Sequence, residues 1–78
     1  MMTLYQFESC PYCRMVRQKL SDMCLTYVSV CVPQDRSRRD KVIEVSGQAS
    51  VPVLVDGSTV LDDENDIIRY LDQHYRAK

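Results

Sequence analysis

MTLYQFESCPYCRM, residues 2–15, runs a short apolar and aromatic stretch straight into two cysteines that bracket a proline and a tyrosine. Residues 2–7 read as a strand. From Pro11 to about Met23 the pattern turns helical: Cys13, Val16 and Leu20 share one face, while Arg14, Arg17, Gln18, Ser21 and Asp22 can face water. Residues 25–32, LTYVSVCV, alternate and are rich in β-branched side chains, so a second strand follows, ended by Pro33. A strand, a helix and a strand in this order predict a parallel pair joined by a right-handed crossover. Residues 35–46 then read as a polar helix burying Val42, Ile43 and Val45 and stopped near Gly47. Residues 51–61 read as two strands joined at Asp56-Gly57. In the last helix, 63–75, Ile67, Ile68, Leu71 and Tyr75 form an apolar stripe, with Asp63 as N-cap. The order β-α-β-α-β-β-α predicts an α/β fold, a four-stranded mixed sheet flanked by three helices.

The whole chain narrows the function classes. Its 78 residues predict a single domain, 1–78, burying about 60% of its unfolded surface. A net charge of −1 gives no electrostatic case for nucleic acid or an anionic membrane. No apolar run approaches the roughly 18 residues of a membrane span. The start, MMTLYQFES, lacks the basic and apolar regions of a signal peptide, so the cytoplasm is the expected location. In that compartment the four cysteines are expected to be reduced thiols, catalytic or metal-bound, rather than a disulfide framework.

Placed on this map, the CPYC pair has a chemistry. Cys10 ends the first loop, and Pro11 suits the first helical position. The Cys10 sulfur then meets unpaired backbone N–H groups and the positive end of the helix dipole, which favour the thiolate that attacks disulfides. Cys13, one turn further in, can attack the mixed disulfide formed on Cys10 and expel the product. Zinc is the competing use of such a pair, but it needs four ligands. Cys24 and Cys31 are separated by six residues, and His74 is the only histidine, so no metal is expected. Cys24 and Cys31 read as buried, unreactive thiols, and Tyr5, Tyr27, Tyr70 and Tyr75 as packing. Tyr12, between the thiols, is expected to be exposed and to line the substrate groove. His74 is expected at the surface near the end of its helix.

CPYC after a first strand resembles the active site of dithiol glutaredoxins. SVPVLVDGSTVLDDENDIIRYLDQHY, residues 50–75, is similar to the end of the thioredoxin-like N-terminal domain of glutathione S-transferases. Together the two resemblances cover about residues 2–76. They imply a thioredoxin-like fold and a glutathione-dependent thiol-disulfide oxidoreductase of the glutaredoxin type, with Cys10 and Cys13 catalytic and no bound cofactor. Glutathione is then the reducing co-substrate, and disulfide-containing or glutathionylated proteins are the partners of an expected monomer. An X-Pro bond is trans by default; the resemblance of SVP is what implies a cis bond before Pro52, with the Val51 backbone pairing with glutathione as an added strand. The acidic stretch DEND implies that Glu64 and Asn65 hold the γ-glutamyl end. Chemically, its carboxylate can accept N–H groups at the helix start, and its ammonium group can meet Glu64 or Asp66. The competing reading is that these acids only cap the helix.

Two departures qualify the resemblance. Phe7 stands where glutaredoxins commonly carry a lysine, and Asp62-Asp63 where they commonly carry two glycines. Added negative charge weakens the hold on an anionic tripeptide unless Arg14, Arg38 or Lys41 compensates. With no helical C-terminal domain following, conjugation activity is not expected. Two other functions stay open: an electron carrier served by thioredoxin reductase, and a glutathione-binding module without turnover.

Overall fold

The computed structural model describes residues 2–75. Strand β1 (Met2–Gln6) leads through a short loop into helix α1 (Pro11–Asp22), and β2 (Tyr27–Cys31) follows. Helix α2 (Asp40–Ser46), the hairpin β3 (Val53–Asp56) and β4 (Thr59–Leu61), and helix α3 (Glu64–His74) complete the chain. The sheet order is β2-β1-β3-β4. β1 pairs parallel with β2, Met2 opposite Tyr27, and antiparallel with β3, Leu4 opposite Leu54. β4 returns antiparallel beside β3. This is the mixed four-stranded α/β sheet with three helices that the sequence predicts, and it matches the thioredoxin-like fold.

Alternation along the strands divides the core. Met2, Leu4 and Leu54 point to one face and pack with Val16 and Leu20 of α1 and with Ile67 and Leu71 of α3. Val53 points the other way, toward Val42 of α2 and Val32, with Tyr5, Phe7, Val51 and Val55 around them. Leu4, Val16, Leu20, Ile67 and Leu71 are fully buried, so truncating any of the leucines removes contacts that water cannot replace. The helix pair is tied by Lys19 Nζ to Asp72, 2.6 Å apart. Asp56, at the end of β3, accepts hydrogen bonds from the hydroxyls of Tyr70 (2.7 Å) and Tyr75, which fasten α3 to the hairpin. Tyr70 and Tyr75 thus do more than pack.

The structure corrects several expectations. The helix read over 35–46 is two pieces: a single 3₁₀ turn, Arg36–Arg38, capped by Asp35, and then α2. Only Val42 of α2 is fully buried; Ile43 is 43% exposed and Val45 half-buried. The hairpin turn is Gly57-Ser58, because Asp56 pairs directly with Thr59; Gly57 takes φ +63 there, a conformation costly for residues with a Cβ. Cys24 and Cys31 are exposed rather than buried. Cys24 lies in the turn after α1, and Cys31 ends β2, an outer strand of the sheet. Arg17 is not a water-facing residue. Its guanidinium donates to the carbonyls of Phe7 (3.3 Å) and Glu8 (3.0 Å) and to the Gln6 side chain, while pairing with the Glu8 carboxylate at 3.5 Å. Helix α1 thereby holds the loop that delivers Cys10.

Candidate active site around Cys10

Cys10 is the N-cap of α1, and Pro11 occupies the first turn, where its missing N–H costs no hydrogen bond. The Cys10 backbone is extended, and its sulfur accepts from the amide of Cys13 at 3.2 Å. That donor bonds more strongly to an anionic than to a neutral sulfur. Cys10 lies low in the surface, 5% exposed, while Cys13 beneath it is fully buried. Burial pushes the Cys13 thiol up to about 12, and its hydrogen bond with Cys10 adds to the effect. The two sulfurs therefore differ in kind: one faces a groove with a backbone donor on it, the other is held as a neutral thiol behind it.

The groove has a volume of about 460 Å³. Cys10, Pro11 and Tyr12 line it together with Phe7, Arg36, Arg39, Ser50, Val51, Asp62, Asp63 and Glu64. Four elements thus meet there: the start of α1, the segment before α2, the loop before β3 and the start of α3. Tyr12 is 56% exposed, as expected of a residue on the groove's rim. The peptide bond between Val51 and Pro52 is cis. Pro52 is buried, and Val51 faces the groove.

Of the residues the sequence singles out, the structure brings Cys10, Tyr12, Val51 and Glu64 to the groove, with Cys13 and Pro52 buried. Asn65 is exposed and does not line it; its amide donates to Asp63 at 3.1 Å. The amide of Asp66 does the same, so two of the helix-start amides read as free for a ligand's carboxylate are taken by Asp63. None of the three basic residues considered as substitutes for the missing lysine lines this groove. Arg14 lies with Met15 and Ile68, and Arg38 and Lys41 border a separate cleft of about 320 Å³ beside Cys31. The cations at the groove are instead Arg36 and Arg39.

Arg39 is the residue the sequence conceals. Only 5% exposed, it donates from Nε to the Pro33 carbonyl (2.9 Å), from Nη1 to Ala49 (2.8 Å) and from Nη2 to Gln34 (2.8 Å). Its guanidinium also sits over the Phe7 ring, 5.3 Å from the centroid. One side chain thus joins the segment after β2 to the loop before β3. In the sequence it is one more arginine in the basic run RSRR, with no periodicity to mark it as buried. Among the described residues, no group of three His, Cys, Asp or Glu is placed to hold a metal ion, and no helix is long and apolar enough to cross a membrane.

Residues 4–78 match the model of the glutathione S-transferase N-terminal domain. Glutathione transferase E6 from Drosophila melanogaster superposes with a TM-score of 0.89 at 31% identity, over 100% of this chain and 36% of that one. A glutathione transferase homolog from Drosophila mojavensis, solved with bound glutathione, gives a TM-score of 0.90 at 25% identity, over 99% of this chain and 36% of that one. The chain therefore spans little more than a third of these transferases. A curated relative of similar length, an uncharacterized glutaredoxin-like 8.6 kDa protein in the rubredoxin operon of Clostridium pasteurianum, is 29% identical over 62 residues, 78% of this chain and 83% of the relative. The sheet order, the cis bond before Pro52 and a match over nearly the whole length lead to one conclusion: the chain belongs to the glutathione S-transferase N-terminal domain family.

Proposed function

We propose that the protein is a glutathione-dependent thiol-disulfide oxidoreductase of the glutaredoxin type, working through Cys10 and Cys13. The observation that carries this reading is the asymmetry of the pair: Cys10 opens on the groove with the Cys13 amide on its sulfur, and Cys13 is buried behind it. In the proposed reaction the Cys10 thiolate attacks a disulfide sulfur, forms a mixed disulfide and expels the other half as a thiolate. Glutathione thiolate then attacks the glutathionyl-Cys10 bond, releasing glutathione disulfide and restoring Cys10. Alternatively Cys13, on losing its proton, attacks the Cys10 sulfur of the mixed disulfide and expels the bound half as a thiolate, closing an internal disulfide that two glutathione molecules reduce as they become glutathione disulfide. The family and the glutaredoxin-like relative support glutathione as co-substrate, and Val51 offers backbone groups beside the nucleophile.

The test is intact-mass analysis of the Cys13→Ser variant after exposure to glutathione disulfide. A single glutathione adduct that maps to Cys10 is expected. An adduct confined to Cys24 and Cys31 would contradict the proposal.

A further inference from the structure

The Arg17 guanidinium is a cation held mainly by neutral groups, and its side chain is only 18% exposed. Nη1 donates to the Gln6 side-chain oxygen and to the Phe7 carbonyl (3.3 Å), and Nη2 to the Glu8 carbonyl (3.0 Å). Gln6, itself buried, is fixed from its other side by donating to Ser29 Oγ of β2 at 2.8 Å. Neutral oxygens orient a guanidinium without cancelling its charge. The carboxylate paired with it, that of Glu8, stands 3.5 Å away and is 90% exposed, so water screens the pair.

Arg17 follows Cys13 by four residues on α1, so the two side chains share a face of the helix. Phe7 connects them, since Arg17 holds its carbonyl and its backbone also bonds to the Cys13 sulfur. Burial raises the Cys13 thiol, and the hydrogen bond with Cys10 adds to this; the Phe7 backbone and the Arg17 charge act the other way. Once Cys10 carries half of a substrate its sulfur is neutral, so its charge no longer opposes ionisation of Cys13, and the charge of Arg17 remains. The other charged groups near the pair face the groove above Cys10: Asp62, Asp63 and Glu64 on one side, Arg36 and Arg39 on the other.

We propose that Arg17 is the positioning residue of the second exchange: it fixes the Phe7–Glu8 backbone that leads to Cys10 and keeps a positive charge beside Cys13 while the internal disulfide closes. The inference rests on Cys10 as the nucleophile. In the step it serves, Cys13 gives its proton to water and its sulfur bonds to that of Cys10. The bond from Cys10 to the bound half breaks, and that half leaves as a thiolate with the electron pair. Arg17 touches neither the substrate nor the reacting sulfurs in a bond; it acts through the loop and through its charge.

The experiment uses a parent protein carrying Cys24→Ser and Cys31→Ser, which removes the two exposed thiols. The reduced parent is mixed with glutathione disulfide, quenched with acid at intervals and read by intact mass. The Cys10 adduct rises first, and the internal disulfide replaces it. Arg17→Gln is expected to close roughly threefold more slowly at neutral pH, since a tenfold loss of thiolate is partly offset by the greater nucleophilicity of a more basic sulfur. Its pH profile for closure is expected to move upward. Arg17→Lys keeps the charge without the fork, so its profile should lie with that of the parent even where its rates fall. Should Arg17→Gln disturb the fold by circular dichroism, Gln6→Glu, which leaves Arg17 in place and opposes its charge, is read in the same way. A profile that the neutral or opposed charge does not move, or that Arg17→Lys and Arg17→Gln move alike, would overturn the proposal. So would a parent whose adduct never gives way to the internal disulfide, a result that leaves Cys10 chemistry standing. Absence of any adduct on Cys10 would overturn it as nucleophile and this proposal with it.

Discussion

Cys10 and Cys13 are three positions apart in sequence and differ sharply in surroundings. A thiol held near 12 is almost wholly protonated at neutral pH, and it is also out of contact with solvent. Iodoacetamide is therefore expected to label Cys24 and Cys31 in the folded protein and to leave Cys13 unlabelled until denaturant is added. Peptide mapping checks this, and rapid labelling of Cys13 in the native state would contradict its burial. The sign of the pH effect follows from the same shift. The unfolded thiol titrates near 9.0 and the folded one near 12, so the contribution of this proton to stability is complete below 9.0 and is lost as pH rises toward 12. Urea unfolding of wild type and Cys13→Ser across this range should show the wild type losing more. Asp56 works in the opposite direction. The hydroxyls of Tyr75 and Tyr70 hold its carboxyl below the ordinary 3.8, so that contribution is present above 3.8 and is lost as pH falls through the folded value.

Secondary-structure elements were legible in the sequence wherever a local signal specified them. Pro11 after a candidate cap, the β-branched run of β2 and the stripe of Ile67 and Leu71 each depend on near neighbours, and each element appears in the structure close to its expected place. Asp63 was legible as an N-cap, and the structure adds that its carboxylate takes two amides. Replacing it with alanine is expected to cost about 1 kcal/mol in denaturant unfolding. The segment between β2 and β3 was legible only in part, because a buried arginine organises it and burial is a tertiary property. Arg39 holds three carbonyls from two loops, so its loss leaves acceptors unpaired in a largely closed site. Arg39→Ala is expected to destabilise by about 2–3 kcal/mol in the same measurement. Arg39→Lys should recover little, since one ammonium group cannot reproduce the planar fork. An alanine variant as stable as wild type would mean that these loops hold their positions without it.

At the scale of the whole molecule, the sheet brings together what the sequence keeps apart. β1 lies between β2 and β3, so the loop after β1 and the loop before β3 meet on one side of the groove, with the start of α3 beside them. Cys10, Tyr12, Val51 and Glu64 were readable from motifs as groove residues, and Asp62 as added negative charge beside them; Arg36 and the role of Phe7 as a platform for Arg39 were not, because only the assembled fold makes them neighbours. Leu54 connects the sheet to both α1 and α3 through one core cluster, and Leu54→Ala is expected to cost about 2–5 kcal/mol by denaturant unfolding. The proposed function depends on a division of labour between the two thiols. Its most direct test is turnover of a small glutathione mixed disulfide, coupled to glutathione reductase, in wild type, Cys10→Ser and Cys13→Ser. Turnover is expected in wild type, lost in Cys10→Ser and retained in Cys13→Ser; no turnover in wild type, or turnover undiminished in Cys10→Ser, would overturn the proposed function.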